Sequence, residues 1–309
     1  MKHRIAALLS VSLFVLVLTG CNASSIATKT STTGQNISLT DLESIINVPG
    51  PIEFDKHLAA RWSISLSGLL NLEHPLAVQA GIVDRDEPIE LYVYSLTHPA
   101  YGTYLVDSGI SERFMSPDEN TDLSFLVKIA MNTGKLQVMK TTRALVKESS
   151  STINGVFLTH IHMDHIMGVA DLPTDTAVFT GPGESSLNTA ENMFTQGTTD
   201  RLLANVKHLQ EWQYGPSGII DIFGDKSVFA IHSPGHSPGS TAYLVRSTQG
   251  PQLLIGDVTH TRWGWENGVE PGTFSADQPR SVNSLQRLLK LSQNFPAMAV
   301  HPGHQSLSR

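Results

Sequence analysis

The chain carries the stretch His160-Ile161-His162-Met163-Asp164-His165 directly after an apolar and β-branched run. Alternate residues of an extended segment point the same way, so His160 and His162 can offer imidazole nitrogens to one ion. Asp164 and His165 are expected at the turn into a short helix, where they can face a neighbouring ion. Neutral imidazole and carboxylate suit zinc, iron or manganese better than calcium. The stretch therefore predicts parts of two adjoining metal sites.

Three further ligand-type residues follow apolar runs elsewhere in the chain. His236 lies in a loop rich in proline and glycine, Asp257 directly follows a second run, and His304 comes just after a third. Function in α/β scaffolds is concentrated in loops at one end of a sheet. We therefore expect four separate strand ends to deliver these side chains to one place.

Short apolar strand patterns recur along the chain in two batches, with helical stretches between them. The predicted strands are 89–96, 102–106, 155–159, 177–180, 228–231, 241–245, 253–255 and 298–300. Helical periodicity is clearest over 281–292 and weaker over 121–131 and 184–203. This order predicts an α/β fold in which two sheets are stacked between helical layers.

Five segments together resemble the metallo-β-lactamase superfamily. The stretch 160–165 matches the His-x-His-x-Asp-His signature in full, and its order and spacing relative to the other four segments also agree. Those segments are Asp107-Ser108-Gly109, Ser233-Pro234-Gly235-His236-Ser237-Pro238-Gly239-Ser240, Gly256-Asp257 and His301-Pro302-Gly303-His304. The resemblance implies a four-layer αββα sandwich of two mixed sheets flanked by helices.

The resemblance also implies a binuclear metal site. Carried over position by position, the ligands of the first metal are His160, His162 and His236, those of the second are Asp164, His165 and His304, and Asp257 bridges both. His301 and His304 flank the same Pro-Gly turn, and only the resemblance favours His304. The expected cofactor is two divalent ions, with zinc first and iron or manganese as alternatives.

Such a pair of ions implies hydrolysis by a hydroxide that bridges them, without a protein nucleophile. Asp164 could pass the proton, while Asp257 offsets the charge of the two cations, so both are candidate catalytic residues. The expected substrate is a small molecule with an ester or lactone-type carbonyl. Aromatic residues at 263, 265 and 274 could form an apolar mouth for an acyl chain or could simply pack under a long loop.

Single residues exclude some other branches of the superfamily. The β-lactamase branch with a cysteine ligand is excluded, because no cysteine follows Cys21, and iron reductases carry a carboxylate where this chain has His162. The segment 259–291 is loosely similar to homoserine-lactone hydrolases. A β-lactamase with only His and Asp ligands, a thioester or phosphodiester hydrolase, and an iron-dependent persulfide oxygenase remain as alternatives.

The N-terminus has the pattern of an export signal. Lys2, His3 and Arg4 precede the apolar run 5–18, which is too short for a comfortable membrane span. The run ends in Leu18-Thr19-Gly20-Cys21, which resembles the lipobox of bacterial lipoproteins. The expectation is an exported lipoprotein anchored by lipid at Cys21, on the periplasmic or cell-surface side.

Composition divides the chain into three segments. Residues 1–20 are predicted to be the signal peptide, residues 21–45 a flexible tether rich in Ser and Thr, and residues 46–309 one catalytic domain. The net charge of −7 without a basic cluster argues against a nucleic-acid partner. The sequence does not indicate an oligomeric state.

Overall fold

The computed structural model describes residues 20–116, 120–149 and 152–307. The strands in these residues are β1 (Cys21–Asn22), β2 (Thr28–Thr30), β3 (Gln35–Asn36), β4 (Glu53–Ser65), β5 (Asp86–His98), β6 (Gly102–Val106), β7 (Gln137–Val138), β8 (Ile153–Phe157), β9 (Ala177–Thr180), β10 (Asn188–Thr189), β11 (Leu209–Glu211), β12 (Ile219–Asp221), β13 (Val228–His232), β14 (Thr241–Ser247), β15 (Gly250–Gly256) and β16 (Ala299–Pro302).

Helices connect and cover these strands. They are α1 (Leu39–Glu43), α2 (Leu66–Leu69), α3 (Pro75–Gln79), α4 (Phe125–Ala130), α5 (Thr142–Glu148), α6 (Met163–Ile166), α7 (Asn192–Leu202), α8 (Arg262–Asn267) and α9 (Gln278–Asn294), with 3₁₀ turns at Glu112–Met115, Thr133–Lys135 and Val169–Asp171. None of the described helices is long and apolar enough to cross a membrane.

Two mixed sheets form the frame. The first has the order β2-β11-β9-β8-β6-β5-β4-β7, and the second has the order β16-β15-β14-β13-β12-β3. In the first sheet, β8 pairs in parallel with both β6 and β9, while β5 pairs antiparallel with β4 and β6. Among the described strands of the second sheet, β15 and β16 form the one parallel pair. The eight predicted strands are all present in these sheets.

Side chains that alternate along each strand create the layers. In β13, Val228 and Ala230 join the core between the two sheets, whereas Phe229 and Ile231 join the core under the outer helices. The second of these cores contains Leu285 of helix α9, which begins after the N-cap residue Asp277. A third core lies on the outer face of the first sheet. The four-layer αββα sandwich is therefore confirmed.

The carboxyl ends of the strands before the ligand-type residues lie at one end of this sandwich. The backbone N–H of Thr241, the first residue of β14, donates to the carbonyl of Thr159, just after β8. This hydrogen bond ties the two sheets together beside the stretch 160–165. Arg246, near the other end of β14, pairs with Pro251 at the opposite end of the sandwich.

The segment 21–45 is not a free tether, contrary to the sequence-based prediction. Strand β2 adds to the edge of the first sheet beside β11, and β3 adds to the edge of the second beside β12. The hydroxyl of Ser24 also donates to Asp200, at 2.6 Å. Backbone pairing and hydroxyl hydrogen bonds fix this polar segment, and neither leaves an apolar alternation in the sequence. The predicted signal peptide, except for Gly20, lies outside the described residues.

Helix bounds differ from the predictions at the polar ends. The helix predicted over 281–292 is Gln278–Asn294, whereas the stretch predicted over 184–203 is helical only over Asn192–Leu202. The short helix expected after His165 begins earlier, at Met163, and ends at Ile166. Asp164 and His165 therefore lie within this single-turn helix rather than before it.

Candidate metal centre

All seven predicted ligand-type residues lie together at the carboxyl ends of the strands. His160 and His162 follow β8, Asp164 and His165 belong to α6, His236 lies in the loop between β13 and β14, Asp257 follows β15, and His304 follows β16. Their donor atoms form two groups, His160 with His162 and His236, and Asp164 with His165, Asp257 and His304. The members of each group lie within 4.8 Å of one another.

The first group consists of three imidazoles that face a common point. Nε2 of His236 lies 3.1 Å from Nε2 of His160 and 2.8 Å from Nδ1 of His162. Burial lowers the pKa of His160 and of His236 well below the usual range, and neighbouring imidazoles lower it further. Neutral rings with converging lone pairs are the form in which histidine binds a metal.

The second group combines two imidazoles with two carboxylates. Nε2 of His304 lies 3.1 Å from Oδ2 of Asp164 and 3.3 Å from Oδ2 of Asp257. Nε2 of His165 lies 3.4 Å from the same Asp257 oxygen. Burial would lower the pKa of His304, but the carboxylates of Asp257 and Asp164 raise it to about 10. The two carboxylates of this group therefore stabilise positive charge beside them, as a bound cation requires.

Asp257 lies between the two groups. Its Oδ2 is 3.7 Å from Nε2 of His160 and 3.5 Å from Nε2 of His236, in addition to its contacts with the second group. Burial alone would raise the pKa of Asp257, but the surrounding histidines, with His260 first, hold it well below the usual range. The Asp257 side chain is therefore a carboxylate within reach of both donor sets.

The donor set fits two divalent cations. Nε2 of His165 and Oδ1 of Asp257 are buried and have no hydrogen-bond partner among the described residues. Buried polar atoms are ordinarily paired, and a bound ion would satisfy both atoms. Three histidines on one side and a mixed nitrogen and oxygen set on the other are ligands of first-row divalent metals.

Asp107 fixes the orientation of the His165 ring in the second group. Its Oδ2 lies 2.8 Å from Nδ1 of His165, so the ring presents Nε2 to the site. The Asp107 carboxylate also accepts the Thr159 backbone N–H, at 2.8 Å. Asp107 has a φ of 56°, a left-handed conformation that is uncommon outside glycine and that the packed strand end holds in place.

Of the two late histidines, His304 faces the donor groups and His301 does not. Nε2 of His301 lies 2.9 Å from Oε1 of Gln252, and its ring contacts Phe54 and Tyr94 in the core between the sheets. Burial lowers the pKa of His301 to about 4. His304, by contrast, reaches the donor groups because Gly303 lets the chain pass close to Asp257. A Cβ at Gly303 would lie 2.0 Å from Oδ1 of Asp257.

Glu184 is a site residue that the sequence did not reveal. Its buried carboxylate accepts the Ile161 N–H at 3.0 Å, the Gly239 N–H at 2.8 Å and the hydroxyl of Ser237. Glu184 thereby joins the stretch 160–165 to the loop that carries His236. Burial raises the pKa of this carboxyl. No metal-ligand spacing or strand-end position distinguishes Glu184 in the sequence.

His260 lies beside the seven candidate ligands. Its Nε2 lies 3.1 Å from Oδ2 of Asp257, and its Nδ1–H donates to the Leu69 carbonyl at 3.1 Å. Its donor atom groups with those of His236 and Asp257. From the sequence, His260, three residues after Asp257, is expected to be structural or to support a ligand, not to be one of the seven ligands.

A cavity of about 650 Å³ opens beside the donor groups. Apolar side chains form part of its wall, and they include Trp62, Ile64, Leu69, Leu126, Phe194 and Phe274. The predicted aromatic mouth is therefore realised by Phe274. Trp265 packs in the core under the outer helices, and Trp263 packs against the core of the first sheet.

Known proteins match this chain in sequence and in fold. One relative, the N-acyl homoserine lactonase AttM of Azorhizobium caulinodans, is 31% identical over 153 residues, which cover 48% of this chain and 57% of that protein. Another, the gamma-lactamase MBL2 of Gibberella moniliformis, is 27% identical over 200 residues, which cover 60% of this chain and 82% of that protein. The chain spans little more than half the length of the lactonases that it matches.

Solved structures share the fold at low sequence identity. A quorum-quenching N-acyl homoserine lactone lactonase superposes with a TM-score of 0.60 at 17% identity, over 84% of this chain and 93% of that one. A probable metal-dependent hydrolase from Staphylococcus aureus gives 0.61 at 17% identity, over 83% and 90%. The family model of the metallo-beta-lactamase superfamily matches residues 101–304, which contain every candidate ligand. The chain belongs to the metallo-beta-lactamase superfamily.

Proposed function

We propose that this protein is a metal-dependent hydrolase that opens lactones and related esters. The observation that carries the proposal is the position of Asp257, whose Oδ2 lies within 3.7 Å of ring nitrogens from both donor groups. A carboxylate in that position can bridge two cations. The names of the matched lactonases support the choice of substrate.

We assign the ligands as two sets that share Asp257. The first cation would be held by His160, His162 and His236, and the second by Asp164, His165 and His304. Asp257 would be shared by both. We propose zinc as the native metal, because four-coordinate nitrogen and oxygen sites with an open position are typical of catalytic zinc. Bound there, the two ions would supply Lewis-acid polarisation of a carbonyl and a hydroxide nucleophile at neutral pH.

The protein's own residues bind and orient the substrate. The apolar wall of the cavity accepts an acyl chain and excludes water around the reacting carbonyl. Asp164 lines the cavity, and its side chain keeps 19% of its exposure, so its carboxylate can accept a proton and return it to the leaving oxygen. Asp107, Thr159 and Glu184 keep the imidazoles in place while the proton moves.

A side-by-side substrate panel tests this function. We expect the purified, zinc-loaded chain to bind two metal ions and to hydrolyse a long-chain lactone faster than a penicillin, because a departing alkoxide can be held directly, whereas a lactam nitrogen must be protonated. The panel includes an aryl ester, a thioester, a phosphodiester and, because one relative is named a gamma-lactamase, a γ-lactam. Turnover is measured for each substrate with metal content in the same preparation.

Two results would contradict the assignment. A preparation that binds a single ion under metal-replete conditions would refute the binuclear site. A lactam or phosphodiester as best substrate would refute the lactone assignment while leaving the metal site intact.

We also propose that the protein is exported and anchored by a lipid on Cys21. Support comes from the basic start, the apolar run 5–18 and the tetrapeptide that ends in Cys21, the one cysteine of the sequence. Cys21 is a free thiol near the described N-terminus.

A further inference from the structure

Five large apolar side chains are exposed on two neighbouring helices at the mouth of the cavity. We call them the apolar rim, and they are Phe125, Leu126 and Ile129 of α4 with Met193 and Phe194 of α7. Phe125 is 74% exposed, and Ile129 and Phe194 are each 62% exposed. Scattered exposed apolar residues are ordinary, but a contiguous group of large ones marks a surface that contacts something apolar.

The rim and the cavity share residues. Helix α4 packs against α7, and Leu126 and Phe194 contribute to both the exposed surface and the cavity wall. Whatever covers the rim therefore also faces the entrance to the candidate metal centre.

The N-terminal end of the described chain lies beside the rim. Strand β1 (Cys21–Asn22) pairs with β10 (Asn188–Thr189), which precedes α7 by two residues, and β1 also packs against α7. The Asn188 side-chain amide donates to the Gly20 carbonyl at 2.9 Å. The described part of the chain therefore begins next to the rim, and the apolar run 5–18 precedes that point in the sequence.

The charge of the rim suits a neutral surface. Within 125–131 and 188–197 the charged residues are Lys128 and Glu191, one of each sign. Such a surface has no net attraction for polyanions. The transfer of its apolar side chains from water to the acyl boundary of a bilayer has a favourable free energy. A membrane attachment combined with an apolar face holds a protein more firmly than either feature alone.

We propose that the apolar rim rests on a lipid bilayer, so that the cavity opens towards the membrane surface. The inference rests on the proposed attachment of the N-terminal end of the chain to that membrane, by an acyl group on Cys21 or by an uncleaved apolar run. It does not rest on the proposed hydrolase activity, and it would hold for any chemistry at the candidate metal centre.

Quenching by brominated lipid tests this orientation on the full chain. The protein is recovered from bacterial membranes and reconstituted into phosphatidylcholine vesicles with or without brominated acyl chains. Phe125→Trp and Met193→Trp each add a fluorophore to the rim at positions that do not line the cavity. The matched control is Val48→Trp, 47% exposed, whose carbonyl accepts from Arg246 at the opposite end of the sandwich.

The added emission, measured as the difference from the parent, decides the outcome. We expect both rim variants to show a blue shift and a loss of emission in brominated vesicles, and Val48→Trp to show neither. Equal emission in the two kinds of vesicle would overturn the proposal, as would failure of the full chain to float with vesicles. The proposal would also be overturned if acrylamide and brominated lipid both failed to quench the added tryptophans. A protein surface rather than lipid would then cover the rim.

Discussion

Asp257 places one carboxylate oxygen among the ring nitrogens of five histidines. The five distances run from 3.1 Å at His260 to 3.7 Å at His160. One negative charge there would reduce the repulsion between two neighbouring cations. The effect of removing this charge is therefore the sharpest test at the level of a single residue.

Asp257→Asn keeps the shape and removes the charge. We expect metal content to fall from two ions to one or fewer and turnover on a lactone to fall by at least about 10²-fold, because the proposed reaction depends on electrostatic stabilisation by both ions. Elemental analysis and single-turnover rates measure the two effects. Asp225→Asn is the control, since that carboxylate pairs with His98, at 2.7 Å, away from the donor groups. Parental activity in Asp257→Asn would contradict the proposal that Asp257 bridges two cations.

The loops that carry the ligands depend on one another at the level of elements. Glu184 joins the turn after β8 to the loop between β13 and β14, while Gly235, with a φ of 146°, lets that second loop pass close to the backbone of α9. A Cβ at Gly235 would lie 2.2 Å from the Ser281 nitrogen. The position of His236 is therefore set by contacts with two other elements.

Glu184→Gln tests this dependence. The amide would direct its NH₂ group at the Ile161 N–H or the Gly239 N–H, and the lost acceptor in a buried site should cost about 1–3 kcal/mol. We expect metal affinity, measured by chelator competition, to fall by about 10–100-fold. Glu211→Gln is the control, because its carboxylate accepts the N–H of Gly183 and touches neither ligand loop. A change in melting temperature without a change in metal affinity would leave Glu184 only a structural role.

The whole molecule holds its N-terminal segment against both sheets before the chain reaches the first long strand. Strands β1, β2 and β3 pair with β10, β11 and β12 respectively, so the segment crosses the edge of the sandwich. Cys21 is thereby fixed beside helix α7, whose residue Phe194 lines the cavity, rather than at the end of a free linker. A lipid on that residue would hold the catalytic end of the molecule close to the membrane.

Processing at Cys21 is tested in living bacteria. We expect the parent chain to incorporate labelled fatty acid and Cys21→Ser to incorporate none, because the thiol is the acceptor that the lipobox-like tetrapeptide implies. Ser25→Ala, four residues further on, should label like the parent. Gel fluorography of the membrane fraction gives the measurement, and labelling of Cys21→Ser would show that the anchor lies elsewhere.

The sequence by itself determined the type of fold, the candidate ligands apart from the choice between His301 and His304, and the strand ends that carry them. Strand patterns and ligand spacing are local properties, so β8 and the stretch 160–165 could be recognised without knowledge of their neighbours. Only the tertiary structure decided between His301 and His304, because both flank one turn and differ only in which way the folded chain directs them. Glu184, His260 and the pairing of residues 21–45 depend on contacts between segments distant in sequence. Polar strands and single buried carboxylates leave no periodic pattern, so nothing in the sequence predicted them.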